Sequence, residues 1–161
     1  MPRRVQLILA LVFAVAALWW WKGRPSSAER EVHALFEGFA REFNSGASGG
    51  LGLLARAAHI GEYFTPDVVI ELAQGSPPIQ GRETLMGMAS RLQPRTSAFE
   101  LEFDDVTVEF TDPDHGEATF TALLRQLSGE KSIDAREFSA EVVRTDGRWR
   151  VSRVVAIDTL R

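Results

Sequence analysis

Cysteine is absent from the 161-residue sequence, and histidine is scarce. Without cysteine the chain has no disulfide framework, no thiolate chemistry and no cysteine-ligated metal site. The three histidines, His33, His59 and His115, lie far apart in sequence. Turn chemistry accounts for His115, which follows Asp112 and Asp114. We therefore expect no metal and no other cofactor.

Basic side chains are also in short supply after residue 24. The sequence has 18 basic and 22 acidic residues, and four of the basic ones, Arg3, Arg4, Lys22 and Arg24, precede every acidic residue. The rest of the chain is therefore acidic, which argues against nucleic acid as a partner. No glycine-rich loop with a following lysine and hydroxyl residue occurs, so we expect no nucleotide-phosphate site either.

The longest uncharged run in the sequence covers residues 5–21. Its length is at the lower limit for a helix that crosses the hydrocarbon core of a bilayer, which is about 30 Å thick. Three tryptophans, residues 19–21, end the run, and indole rings favour the lipid headgroup region. We predict that residues 1–24 form a membrane anchor that contacts the lipid bilayer through residues 5–21. The alternative is a signal peptide that is cleaved near the small residues Ala14–Ala16.

Basic residues on both sides of the run determine the predicted orientation of the anchor. Arg3, Arg4 and the terminal amine precede the run, and Lys22 and Arg24 follow it closely. The slight excess of positive charge on the N-terminal side favours a cytoplasmic N-terminus. We therefore expect a single-pass protein of the cell inner membrane whose C-terminal domain is extracytoplasmic.

The sequence after the anchor begins with the signals of helices. Ser26 and Glu29 have the spacing of a capping box, and apolar residues at the helical period follow them. After a linker of residues 25–27, the predicted elements are a helix ending at Asn44, a helix over Leu51–Ile60, a strand over Val68–Ala73 and a helix over Arg82–Leu92.

Alternating apolar and polar residues in the remaining sequence predict four strands with one buried face. In the first of these segments the apolar positions are odd from Phe99 to Phe103 and even from Val106 to Phe110, so we predict a β-bulge at Asp104 and Asp105. Three helices followed by a meander predict an α+β domain over residues 28–161. Its curved antiparallel sheet is expected to pack with its concave side on the helices.

This order of elements resembles the nuclear-transport-factor-2-like superfamily, which includes SnoaL-like polyketide cyclases and ketosteroid isomerase. The resemblance is closest over residues 64–83, FTPDVVIELAQGSPPIQGRE, where an aspartate opens a strand and Gly-Arg-Glu begins a helix after a turn. Residues 137–154, EFSAEVVRTDGRWRVSRV, resemble the last hairpin of the family. The resemblance implies a cone-shaped fold over residues 28–158. It does not imply one activity, because this fold hosts isomerases, dehydratases, hydrolases, binding modules and assembly proteins.

The catalytic residues of the isomerase-type members do not carry over to this sequence. Their general-base aspartate stands at the end of the first strand, and the matching position is Leu72. The position of their helix tyrosine falls at Phe36 and Phe39, and that of a protonated aspartate falls at or next to Ala140. Because an oxyanion hole needs donors and a base in one cavity, we expect a non-catalytic domain. Leu72 alternates with Ile70 and is predicted to pack in the interior.

Side chains at positions of the same parity, odd or even, lie on the same face of a strand, and this rule indicates which polar side chains are expected to enter the cavity. Arg136, Arg153 and Gln126 each share the parity of apolar residues on their own strands. They would suit a carboxylate or phosphate headgroup, and Tyr63 and Leu72 complete the candidate ligand-binding residues. In the alternative, both arginines lie at the rim of the sheet and pair with surface acids.

The sequence therefore predicts a membrane-tethered, non-catalytic domain that binds a small apolar or amphipathic ligand or an envelope protein. One alternative is a SnoaL-like cyclase, dehydratase or isomerase with different catalytic residues. The other is a scaffold subunit of an envelope or secretion complex. A homodimer formed through the sheet is a further expectation.

We predict that the anchor remains on the mature protein, because the uncharged run ends in tryptophans that would be exposed after cleavage. The intact mass of protein extracted from membranes is expected to equal that of the full chain. A species that begins near Ala17 would contradict the prediction. A reporter fused after Arg161 is expected to be active outside the cytoplasm, and activity in the cytoplasm alone would reverse the orientation.

Overall fold

The computed structural model describes residues 26–45, 50–73, 75–96, 99–127 and 132–157. The predicted anchor, residues 1–24, lies outside these ranges. Among the helices within them, none is both long and apolar enough to cross a membrane. The chain divides into two units, residues 1–30 and Glu31–Arg161, and the sheet belongs to the second.

Helix α1, Ser27–Asn44, begins at the predicted capping box. The Glu29 backbone N–H donates to Ser26 Oγ at 3.0 Å, and the Ser26 N–H donates to the Glu29 carboxylate at 3.2 Å. Backbone N–H groups at the start of a helix have no acceptor within the helix, and the box satisfies two N–H groups here. The predicted start of this helix is therefore confirmed.

The C-terminal end of α1 is held by an arginine from the next helix. Arg56 is only 8% exposed, and its Nε donates to the Glu42 carbonyl at 3.0 Å. A terminal N–H of the same guanidinium donates to the Phe43 carbonyl. The last carbonyls of a helix have no partner in the helix itself, so Arg56 supplies the donors that they need.

The other two helices are both longer than predicted. Helix α2 spans Gly50–Glu62 and helix α3 spans Arg82–Thr96. The prediction that α3 ends before Pro94 is wrong. The helix continues through Pro94 to Thr96, and because proline has no backbone N–H, its last turn has one donor fewer.

Two strands lie between α2 and α3. Strand β1, Phe64–Glu71, begins four residues before the predicted strand, and β2, Ile79–Gln80, was not predicted. The early start places Pro66 within β1. Pairing of β1 with its neighbour β6 (Arg148–Ala156) is irregular between Phe64 and Val69, so the ladder does not require an N–H from the proline.

The six strands form one sheet in the order β2-β1-β6-β5-β4-β3. The remaining strands are β3, Phe99–Asp112, β4, His115–Gln126, and β5, Ile133–Thr145. Four of the five neighbouring pairs are antiparallel, as predicted, but β1 and β6 run parallel. The antiparallel prediction is wrong for this pair, because the long connection between the two strands permits a crossover.

A β-bulge interrupts the ladder in β3 and another does so in β6. The predicted bulge in β3 is confirmed, because the register shifts between Asp104 and Thr107 and Asp105 has a φ of 53°. A second bulge, in β6, was not predicted. Glu141 pairs with Arg153 whereas Val142 pairs with Val151, so the pairing skips Ser152. An extra residue inverts the faces of all later side chains, since successive side chains alternate.

One free edge of the sheet is covered in part by an asparagine. Strand β3 lies at this edge, and Asn44 at the end of α1 contacts it. The Asn44 Nδ2 donates to the Leu101 carbonyl at 2.9 Å, and Asn44 Oδ1 accepts from the Leu101 N–H at 2.8 Å. The side-chain amide thus replaces a neighbouring strand at one residue, which reduces the chance of edge-to-edge aggregation.

Replacement of Arg56 with methionine is expected to lower the free energy of unfolding by about 1–3 kcal/mol, because helix carbonyls are left without donors. Urea unfolding measures this loss. The control is Arg125→Met, which removes only an exposed ion pair with Glu102, at 2.7 Å. We expect the control to cost less than about 1 kcal/mol. Equal losses in the two variants would contradict the capping role of Arg56.

Candidate functional site

An apolar cavity of about 190 Å³ lies between α1 and the sheet. Of its lining residues in the described part of the chain, Tyr63 is the one with a polar side-chain atom. The lining residues are Leu35, Phe36, Phe39, Tyr63, Phe64, Ile70, Leu72, Leu101, Phe103, Phe120, Ala122, Phe138, Val151 and Val154. Such a wall favours hydrocarbon over water as its occupant.

Aromatic contacts fix much of this wall. Phe120 lies between two other rings, with centroid distances of 5.2 Å to Phe103 and 5.8 Å to Phe138. On the opposite side, the Phe39 ring meets Phe64 edge to face at 5.5 Å. These separations are in the favourable range for aromatic pairs, so the cavity is formed before any ligand arrives.

Leu72 lines the cavity but does not pack in the interior as predicted. Its side chain is 49% exposed, whereas that of Ile70 is 7% exposed. Strand β1 ends at Glu71, so Leu72 lies just beyond the ladder and no neighbouring strand covers it. The prediction of a buried Leu72 is therefore wrong. The cavity reaches the surface beside this residue.

Arg153 points away from the cavity, and the prediction from strand parity is wrong. The bulge at Ser152 moves Arg153 to the outer face of the sheet, while Val151 and Val154 line the cavity. On the outer face, Arg153 Nη2 lies 3.0 Å from a carboxylate oxygen of Glu71. Apolar residues of both parities, Val151, Val154 and Val155, surround this bulge, so the alternating pattern does not indicate it.

Arg136 also lies outside the cavity. Its side chain is 56% exposed, and its Nη2 lies 3.3 Å from a carboxylate oxygen of Asp134. The two residues are two positions apart on β5 and therefore share one side of the strand. Arg136 keeps the predicted parity but is positioned at the rim, beyond the buried Phe138.

Gln126 joins two strands instead of lining the cavity. Its backbone N–H donates to the Ser132 carbonyl at 2.9 Å, and the Ser132 hydroxyl donates to Gln126 Oε1 at 3.1 Å. These bonds close the connection between β4 and β5. Of the five residues predicted to bind ligand, only Tyr63 and Leu72 line the cavity.

Tyr63 is positioned by a glycine of α1. A Cβ atom at Gly38 would lie 3.0 Å from the Tyr63 hydroxyl oxygen, so a larger residue would displace the ring. The ring also meets Phe39 edge to face at 5.7 Å. Burial, together with the negative charges of Glu42 and Glu62, raises the pKa of Tyr63, and Arg41 opposes them. Tyr63 is therefore a neutral hydroxyl at physiological pH.

A second space, here termed the polar groove, has a volume of about 300 Å³ and lies on the other side of Tyr63. It is lined by Leu35, Glu42, His59, Glu62, Tyr63, Arg148 and Trp149. Glu42 and His59 approach each other, with 3.8 Å between a carboxylate oxygen and Nδ1. No local sequence pattern predicts this groove, because residues of α1, α2 and β6 meet there only in the folded chain.

His115 belongs to the turn between β3 and β4. Its Nδ1 lies 2.9 Å from both carboxylate oxygens of Asp112. Hydrogen bonds from the Asp114 backbone and from His115 lower the pKa of Asp112. Within the described residues, no three potential metal ligands lie together.

Ile70 and Leu72 allow a direct comparison of buried and exposed cavity residues. Ile70→Ala is expected to lower the free energy of unfolding by about 2–5 kcal/mol, as truncation of a buried aliphatic residue does. Leu72→Ala is expected to cost less than about 1.5 kcal/mol, since much of its apolar surface is already in water. Urea unfolding of both variants measures the difference. A larger loss for Leu72→Ala would show that this residue is buried.

Comparisons with known proteins agree with this architecture. The sequence model of the SnoaL-like domain matches residues 24–155. No curated protein matches the chain.

Solved structures show the same fold at low sequence identity. A putative scytalone dehydratase from Novosphingobium aromaticivorans has a TM-score of 0.64 at 12% identity, over 81% of this chain and 83% of that one. An NTF2-like protein with a cystatin-like fold from the same species has a TM-score of 0.64 at 16% identity, over 93% and 92%.

A third structure is a putative calcium/calmodulin dependent protein kinase II association domain from Xanthomonas campestris. It has a TM-score of 0.61 at 18% identity, over 82% of this chain and 89% of that one. At these identities the three structures are evidence of fold alone. The predicted resemblance to the nuclear-transport-factor-2-like superfamily is confirmed, and the chain belongs to the SnoaL-like domain family.

Proposed function

We propose that the domain binds a small apolar ligand in the cavity between α1 and the sheet. The observation that carries this proposal is the lining of the cavity, in which the Tyr63 hydroxyl is the one polar side-chain group among the described residues. Removal of apolar surface from water contributes about 25 cal/mol per Å². A preformed hydrocarbon wall therefore supplies affinity for a ligand of the same character.

The proposal does not include general acid–base catalysis. A general base must lie within hydrogen-bond reach of the proton that it removes. The described cavity wall carries no carboxylate and no imidazole. Leu72 stands at the family's general-base position, and Phe36 and Ala140 occupy two other positions implied by the resemblance. A SnoaL-like dehydratase or isomerase activity would need groups that this wall does not offer.

We also propose that the domain acts at the inner membrane, held there by the anchor predicted for residues 1–24. Support for this proposal comes from the uncharged run of residues 5–21, which ends in three tryptophans and has the minimum length of a membrane span.

A cavity-filling variant tests ligand binding. In Ala122→Trp, an indole occupies space in the cavity, so affinity for 1-octanol is expected to fall by about tenfold or more, which corresponds to 1.4 kcal/mol. Calorimetry on the full chain in lipid nanodiscs measures this affinity, with the heat of empty nanodiscs subtracted.

The matched control is Thr121→Trp, which places the same side chain on the opposite face of β4. This control is expected to bind 1-octanol as the unmodified chain does, and thermal unfolding verifies that both variants are folded. Equal affinity in the two variants, or no binding by the unmodified chain, would refute a ligand site in the cavity.

A further inference from the structure

The apolar cavity and the polar groove meet at two side chains. Leu35 and Tyr63 line both spaces. A hydrocarbon space of about 190 Å³ and a charged space of about 300 Å³ therefore adjoin each other at one leucine and one tyrosine. Adjacent apolar and charged compartments match the two ends of an amphiphile.

The Tyr63 hydroxyl is available to a ligand. Within the described residues it has no hydrogen-bond partner. Gly38 lets it approach the α1 backbone, where a Cβ atom would be only 3.0 Å from the hydroxyl oxygen. A hydroxyl oxygen has two acceptor lone pairs, so Tyr63 can accept a hydrogen bond from a ligand.

Of the charged groups that shift the pKa of this hydroxyl, two are carboxylates and one is a guanidinium. Glu42 and Glu62 both raise the pKa of Tyr63, and Arg41 opposes them. Glu42 is only 27% exposed, and its ion-pair partner in the described chain is the His59 imidazole, which is charged only when protonated. Arg148 also lines the groove, but it forms no ion pair with the described residues. Among the described residues, therefore, no guanidinium or ammonium group forms an ion pair with Glu42.

We propose that the ligand is an amphiphile with a cationic amine head, which lies in the polar groove beside Tyr63 while the hydrocarbon tail fills the cavity. This inference rests on the proposed function, since it needs an occupied cavity. An ammonium group has three donors and no acceptor, and Tyr63, Glu42 and Glu62 offer acceptors. Hydrogen bonds between ionised partners are roughly twice as strong as neutral ones.

The same geometry disfavours the anionic headgroup expected from the sequence. That expectation depended on Arg136 and Arg153, which pair with acids outside the cavity. A carboxylate head beside Tyr63 would instead face Glu42 and Glu62, which repel it, while Arg148 is the one arginine among the described lining residues that would attract it.

Three ligands of equal chain length test the inference. The full chain in lipid nanodiscs is titrated by calorimetry with octylamine, 1-octanol and octanoate, and the Ala122→Trp variant serves as the reference for partition into lipid. Octylamine is expected to bind about tenfold more tightly than 1-octanol, because it gains charge-assisted hydrogen bonds. Octanoate is expected to bind most weakly.

Glu42→Gln is expected to remove most of the preference for octylamine while affinity for 1-octanol stays the same. Glu37→Gln, on the same helix but outside the groove, is the matched control and should keep the preference. If Glu42→Gln fails to fold, Glu62→Gln replaces it, with the same direction of change.

Equal affinity for octylamine and 1-octanol, or tighter binding of octanoate, would overturn the amine head and leave the cavity site intact. Absence of binding by all three ligands would overturn the proposed function as well. Retention of the full octylamine preference in Glu42→Gln and in Glu62→Gln would show that the head does not lie in the polar groove.

Discussion

Contact between α1 and the sheet through Phe36 is the interaction on which the rest of the domain depends. The Phe36 ring lies 4.8 Å from Phe120 and 5.4 Å from Phe103, so one helix residue joins two strands. The neighbouring turn of the helix adds Phe39, which meets Phe64 at the start of β1. Rigid rings that meet at angles hold helix and sheet at a fixed distance. That distance determines whether a cavity remains between them.

Polar contacts at both ends of α1 hold the helix in the position that this aromatic contact requires. Near its start, Glu31 pairs with Arg144, and at its end Arg56 satisfies the last carbonyls. Asn44 then attaches the helix to the edge strand through Leu101. The ion pair is exposed and contributes little, whereas the buried arginine and the paired amide are costly to break. The same buried arginine fixes α2 against α1, which brings α2 to the polar groove.

Features that depend on local sequence could be predicted, and features that depend on contacts between distant residues could not. The capping box at Ser26 and the change of apolar parity after Phe103 each involve only a few consecutive residues. The helix start and the β-bulge that they predict are both confirmed. The bulge at Ser152 has no such signal, because apolar residues stand on both sides of it. The parallel pairing of β1 and β6 and the polar groove arise only when separate segments meet. For the site, therefore, the sequence predicted an apolar cavity but misplaced Arg136 and Arg153.

The bulge at Ser152 has a consequence for the electrostatics of the whole site. Without it, Arg153 would share the face of Val151, and a guanidinium in the hydrocarbon cavity would be costly unless an anion compensated it. Because the bulge is present, Val154 lines the cavity instead, and Arg153 pairs with Glu71 on the outer face of the sheet. The described cavity wall is thus left without a cation, and the ionised groups that shift the pKa of Tyr63 belong to α1 and α2. Since those groups are mainly carboxylates, one extra residue in β6 changes the favoured charge of a ligand head from negative to positive.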